Sequence, residues 1–244
     1  MRSLLLADGG GGGPVIPDFG HGTACLRNNH WFCPSWVHAH WGDILQPALV
    51  QHIYLTLISV SIGFAISFAL ALIAFRFRFF GPPLGAVSDF LYCIPSIALF
   101  LLLVPVTGLT VTTLVIPLVA YTLFVLYPNI LAGLRGVPPE VLESARGMGL
   151  TRRQTFWRVE LPLAVPAIMA GLRVATVSTI SIATIAAIVL FYGLGGPIFA
   201  AIEQPDIFRT ELVAAGGLTI LLALTADALL TLLQRVLTPW SRQR

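Results

Sequence analysis

From Ile53 to Phe75 the chain reads IYLTLISVSIGFAISFALALIAF, with no charged residue. At about 1.5 Å per residue, a helix of that length crosses the roughly 30 Å hydrocarbon core of a bilayer. Four further apolar windows follow, at about 84–106, 111–134, 163–190 and 212–236. In lipid the backbone must satisfy its own hydrogen bonds, which a helix does within one segment. The expected class is an all-α integral membrane protein.

Composition points the same way. Of 244 residues, 57% are hydrophobic and 10% charged, and the mean hydropathy is +0.87. Soluble domains carry about 25% charged residues, so too little polar surface remains to cover a soluble core. All 14 cations are arginines. Without a lysine there is no Walker phosphate-binding loop, whose lysine reaches the phosphates. The five glycines at 9–13 read as a flexible tether.

The arginines set the orientation. Arg76 and Arg78 follow the first span, and Arg135, Arg146, Arg152, Arg153 and Arg158 lie between the third and fourth. Arg235, Arg242 and Arg244 follow the last. Five spans put all three groups on one side, the cytoplasmic side by the positive-inside rule. The long fourth window is one tilted helix or two short ones broken near TVSTIS. Two would give six spans and place the last arginines outside, so five are expected.

The N-terminus is then outside and the C-terminus in the cytoplasm. Residues 1–50 form an extracytoplasmic segment with an interfacial helix, residues 51–237 the transmembrane domain and 238–244 a cytoplasmic tail. The first residues show no apolar stretch suited to a cleaved signal. Outside the cell Cys25 and Cys33 have the oxidising conditions in which a disulfide forms. Trp31, Trp36 and Trp41 suit a membrane interface. His38 and His40 lack further ligands at metal-binding spacing, and no metal is expected.

The charged stretch VLESARGMGLTRRQTFWRVELP, 141–162, lies in the one long cytoplasmic loop. Pro138 and Pro139 suit a helix start. Gly147 and Gly149 suit its end. Thr151 with Gln154 three residues on is a capping box for a second helix, which Leu161-Pro162 is expected to stop. Val141, Leu142 and Ala145 give the first helix an apolar side.

Glu143-Ser144-Ala145, three residues, Gly149, nine residues, then Val159-Glu160-Leu161-Pro162 resembles the EAA loop, E-A-A-x3-G-x9-I-x-L-P, of type I ABC importer permeases. Ser144 for Ala and Val159 for Ile are the departures. Residues 45–200 also resemble permeases of the osmoprotectant subfamily, which carry glycine betaine, choline, carnitine or proline betaine. The stretches that carry this are QHIYLTLISVSIGFAISFALALIAFR, IPSIALF, GVPPEVLESARGMG, VELPLAVPAIMAGLRVATV and GLGGPI.

The resemblance implies a type I permease core of about five helices, with residues 137–162 as the coupling loop. It implies a permease subunit that is not itself an enzyme. ATP and Mg2+ would be handled by two partner ATPase subunits, with a second permease subunit and an extracytoplasmic substrate-binding protein completing the importer. Glu143, Ser144, Ala145, Gly149, Arg152 and Arg153 would couple to the ATPase, the two arginines alternatively meeting anionic lipid. Ser144 and Ala145 would keep the docking face slim. Tyr92, Tyr121, Phe124 and Tyr127 would line a transit path for a quaternary ammonium, or only pack between helices.

Two intramembrane charges remain. Arg173 and Asp227 lie at similar depth from the same side, and a lone charge in lipid is costly. A pair locking two helices is expected, with Asp89 as reserve partner; a polar lining of the pathway is the alternative. GLGG at 193–196 reads as a turn or a gate, and Glu203 to Glu211 as an outer loop. An importer for another small solute such as an amino acid, and an ion-coupled secondary transporter, stay open as alternatives.

Overall fold

The computed structural model describes residues 24–239. The glycine run at 9–13, Arg242, Arg244 and most of the C-terminal tail lie outside the described residues. Within them the chain is helical, with the apolar windows as its long elements. Helices α1 (Ala24–Arg27) and α2 (Pro34–Ala39) precede α3 (Gln46–Arg76), α4 (Gly81–Cys93), α5 (Ser96–Thr107) and α6 (Val111–Arg135). Then come α7 (Pro139–Gly147), α8 (Arg152–Thr155), α9 (Leu161–Ala186), α10 (Gly195–Glu203) and α11 (Arg209–Leu237).

Among the described residues four helices are long and apolar enough to cross a membrane. The expected second span is a bent pair, α4 and α5, set at 93°. Pro95 causes the break. It pushes Ile94 into extended backbone, ψ 125°, and it begins α5 with no N–H to give. The carbonyl of Ile94 would go unsatisfied, and the Tyr121 hydroxyl donates to it. Tyr127 likewise donates to the Gly81 carbonyl at 2.9 Å, holding the start of α4.

The central layer is α3, α6 and α9. Small residues on α3 and α9 (Ala71, Ala74, Ala164) meet large ones on α6 (Leu126, Tyr127, Ile130, Leu134). Small residues allow close approach, the main source of helix association where lipid removes the hydrophobic drive. Gly63 of α3 sits against Thr122 of α6, where any Cβ would come within 1.7 Å of the Thr122 hydroxyl. Helix α11 packs on α9 at the edge of this layer.

Helix α3 follows a π-turn at Trp41–Leu45 without a break, so its helix starts before residue 50 and joins the N-terminal segment rigidly to the first span. The fourth window is one helix through TVSTIS, α9, ending at Ala186 and not at Leu190. Leu161-Pro162 does not stop the helix before it. The backbone widens into a π-turn over Phe156–Glu160, where the Leu161 N–H bonds the Phe156 carbonyl. That altered register accommodates Pro162 in the first turn of α9. Arg152 to Ala186 is therefore one helical body. Residues 195–203 form α10 between the turn expected at 193–196 and the outer loop expected at 203–211, and that loop is shorter than expected, because Glu211 lies in the first turn of α11, 9% exposed.

Candidate functional site

The arginine-rich loop is a helix, a glycine turn and a helix. Pro138 precedes α7 with ψ 138° and Pro139 opens it, where the missing N–H costs nothing. Glu140 in its first turn and Arg146 in its last both complement the helix dipole. The Gly149 N–H bonds the Arg146 carbonyl at 2.9 Å, and that of Leu150 bonds the Ala145 carbonyl at 3.2 Å. Gly149 makes this turn at φ 77°, a conformation costing other residues about 1–2 kcal/mol. Thr151 and Gln154 then close a reciprocal capping box on α8.

The loop's faces differ from the expected ones. Ala145 is 1% exposed, turned inward with half-buried Leu142, and so does not belong to the free face. Glu143 and Ser144 are exposed there, the Ser144 hydroxyl returning to the Glu140 carbonyl at 2.8 Å. Val141, assigned by spacing to the apolar side, is exposed as well, because α7 is too short to bury a wide stripe. Met148, which the sequence reading passed over, stands 74% exposed beside Gly149. A flexible apolar side chain left in the open is what a protein contact uses. Its position between two glycines was the available signal.

Behind the loop lies a cavity of about 820 Å³ between α3 and the loop. Arg76, Arg146, Arg152 and Arg153 line it with the single carboxylate Glu160. Arg135 stays with the span ends, donating to the Ala74 carbonyl at 2.9 Å near the end of α3.

The four aromatics divide. Tyr121 and Tyr127 have their hydroxyls on backbone carbonyls of the bent pair and are buried. Tyr92 is 53% exposed and stacks on Phe124 with ring centroids 3.9 Å apart. Tyr92 and Phe124 are thus the ones placed to offer an aromatic surface.

Arg173 and Asp227 meet across α9 and α11: Nε donates to Oδ1 at 2.7 Å and Nη2 to Oδ2 at 2.9 Å. Asp89 is not in this pair.

At the opposite end, Cys25 and Cys33 are bonded, with Cα atoms 6.0 Å apart. The closed loop grips the turn between α10 and α11. Asn29, at φ 46°, donates from Nδ2 to the Ile207 carbonyl at 2.8 Å and accepts from the Arg209 N–H at 3.1 Å. Thr210 donates to the His30 carbonyl at 2.8 Å, and the Arg209 guanidinium lies 5.0 Å from the Trp31 ring centroid. Trp36 packs inside this cap against Phe208 and is not an interfacial residue. The GLGG turn is latched to α3: the Gly193 N–H donates to Gln51 Oε1 at 3.0 Å and that of Leu194 to His52 Nδ1 at 3.2 Å. His52 Nε2, which then carries the proton, donates to the Ile180 carbonyl at 3.1 Å. Among the described residues no three His, Cys, Asp or Glu side chains cluster as a metal site.

A family model described as binding-protein-dependent transport system inner membrane component matches residues 46–242. The chain is 31% identical over 211 residues to a choline transport system permease protein, OpuBB, of Bacillus subtilis (strain 168), covering 86% of this chain and 95% of that one. It is 35% identical over 195 residues to the osmoprotectant import permease protein OsmW of Salmonella typhimurium, covering 78% and 89%. A carnitine transport permease protein, OpuCB, of Listeria monocytogenes is 32% identical over 190 residues, covering 78% and 86%. In fold, the chain matches an inward-facing structure of the MetNI methionine ABC transporter with a TM-score of 0.69 at 19% identity, covering 82% of this chain and 98% of that one. An amino acid ABC transporter with histidines matches with a TM-score of 0.67 at 19% identity, over 81% and 96%.

Proposed function

Because this chain belongs to the family of binding-protein-dependent transport system inner membrane components, we propose that it is the permease subunit of an ATP-driven importer for osmoprotectants such as glycine betaine, choline or carnitine. The observation that carries the mechanism is the loop: α7 presents Glu143 and Ser144 outward with Met148 exposed at its C-terminal cap, on a turn fixed by Gly149 and joined by one helical body to the membrane core. The similarity to choline, osmoprotectant and carnitine permeases over most of their length supports the substrate class.

In this reading the arginine-rich end faces the cytoplasm and the disulfide-closed cap faces outside. ATP and Mg2+ belong to partner ATPase subunits, which would grip α7 through Glu143 and Met148. Arg152 and Arg153 flank that contact. Nucleotide-driven closure would push the loop as a rigid lever, because α8, the π-turn and α9 form one continuous helix. A second permease subunit completes the pathway, since about five spans are too few to enclose one. An extracytoplasmic binding protein delivers the ligand to the cap side. The quaternary ammonium has no N–H to donate, so the stacked Tyr92 and Phe124 offer the aromatic face it requires.

The test is uptake by the assembled importer in proteoliposomes, with labelled glycine betaine, choline and carnitine against methionine and histidine. The expected result is ATP-dependent uptake of a quaternary ammonium compound. Uptake of amino acids alone, or uptake driven by an ion gradient without ATP, overturns the reading.

A further inference from the structure

The Arg173–Asp227 pair sits in the wrong place for a purely structural clasp. Arg173 is twelve residues into α9 and thirteen from its end, about 18–20 Å from either terminus at about 1.5 Å per residue. Asp227 is ten residues from the end of α11, about 15 Å deep by the same rise. Both are near mid-span, yet the two side chains are 35% and 37% exposed. A half-bare ion pair turned toward acyl chains at that depth is strongly disfavoured. The face carrying it is therefore not a lipid face. Half-buried Ser178 lines the same face of α9.

The pair's geometry leaves a defined recognition element. Arg173 uses one edge of its guanidinium, Nε and Nη2, on Asp227. The other fork, Nη1 with the second hydrogen of Nη2, has no partner among the described residues. Each Asp227 oxygen accepts one bond from Arg173 and keeps a lone pair. The pair opens on a groove of about 520 Å³ lined by Ala170, Val174, Val177, Ser178, Ala223 and Leu224.

We infer that Arg173 and Asp227 form a mid-membrane binding site for a zwitterion that carries a carboxylate and a methylated ammonium. The ligand lies antiparallel to the ion pair. Its carboxylate takes the free fork of Arg173 in bidentate geometry. Its ammonium, unable to donate a hydrogen bond, sits against the outer lone pairs of Asp227. A cation without a carboxylate leaves the fork unpaired, a penalty that discriminates more strongly than an added contact does. The inference rests on the osmoprotectant reading and adds to it that this subunit itself prefers betaines over choline.

The experiment measures equilibrium binding of labelled glycine betaine and of labelled choline. It uses the complete permease–ATPase complex in nanodiscs without binding protein, beside uptake by the full importer. Wild type binds glycine betaine about tenfold more tightly than choline. Arg173→Gln keeps a hydrogen bond to Asp227 but lacks the fork, and it removes the preference by weakening glycine betaine about tenfold. Arg173→Lys keeps the charge and the ion pair but also lacks the fork, and gives the same loss of preference where Arg173→Gln does not assemble. The inference is overturned if wild type shows no preference, or if either variant weakens both ligands equally, as a helix clasp alone predicts. Loss of assembly in both variants also overturns it, since the pair is then structural. An importer that takes up neither of these ligands nor carnitine refutes the osmoprotectant reading instead. Normal glycine betaine uptake with no preference in the nanodisc complex refutes this inference alone.

Discussion

Replacing Gly63 by Ala tests the packing of the central layer. A Cβ there would lie 1.7 Å from the Thr122 hydroxyl oxygen and 2.8 Å from its Cβ. Thr122 is 2% exposed, and its hydroxyl donates to the Val119 carbonyl at 2.7 Å. Turning the hydroxyl away gives up that bond, worth about 1 kcal/mol, and leaves the carbon contact. Relieving the carbon contact then requires α3 and α6 to part where Gly63 faces Thr122. Overpacking of this kind costs about 1–3 kcal/mol. On the scale of soluble chains of this size, that lowers the melting temperature by roughly 4–8 °C for about 2 kcal/mol. The assay is thermal unfolding of the purified protein in detergent as a double-mutant cycle. Thr122→Gly on the Gly63→Ala background removes both offending atoms and restores most of the loss; Thr122→Ala keeps the Cβ and restores little. Wild-type melting in Gly63→Ala, or equal rescue by the two partners, would refute the close approach.

Removing the disulfide with Cys25→Ser and Cys33→Ser releases a loop of sequence separation 8, a constraint worth about 2.5 kcal/mol in the chain-entropy model. Hydrogen exchange then rises together at 26–30 and at 207–210, because Asn29 and His30 hold that turn; a rise confined to 26–30 contradicts the clamp. His52→Leu leaves the Leu194 N–H without a partner, at about 1–3 kcal/mol, while the Ile180 carbonyl keeps the Thr184 hydroxyl at 3.0 Å. Faster proteolysis near the 193–196 turn is the expected readout, and wild-type cleavage rates would refute the latch. In the loop, Gly149→Asn is tolerated better than Gly149→Val, since nothing lies within 4 Å of the added Cβ and only the left-handed backbone is at stake. Equal loss of uptake in both would show that space, not conformation, matters there.

Helix class and the spans were legible because they depend on composition over long windows. Apolar residues between Ile53 and Phe75 leave no other solution in lipid. The cap of α8 was legible for the opposite reason: Thr151 and Gln154 interact within one turn. What stayed hidden depends on contacts distant in sequence or on register. The bend at Pro95 could be read as a weak point, but its 93° angle is held by Tyr121, far along the chain. The π-turn that carries the helix past Pro162 has no signature in residue type. Val141 and Ala145 look alike on a helical wheel, and only the packing of the loop separates the exposed one from the buried one. The wall of four arginines behind the loop was likewise invisible, because Arg76 comes from a different span. The partners for Arg173 could be ranked from depth alone, since helices impose a regular rise.

The central claim is that this subunit is moved by another protein through the outward face of α7. The most direct measurement is ATP-driven uptake and copurification of the ATPase with Glu143→Arg, alone and combined with Gly149→Val, in an otherwise intact importer. The account predicts a folded membrane domain in both, with melting unchanged in Glu143→Arg alone, ATPase largely lost on purification, and uptake reduced about tenfold or more, equivalent to at least about 1.4 kcal/mol of docking energy. Wild-type uptake together with normal recovery of the ATPase in the double variant would contradict it.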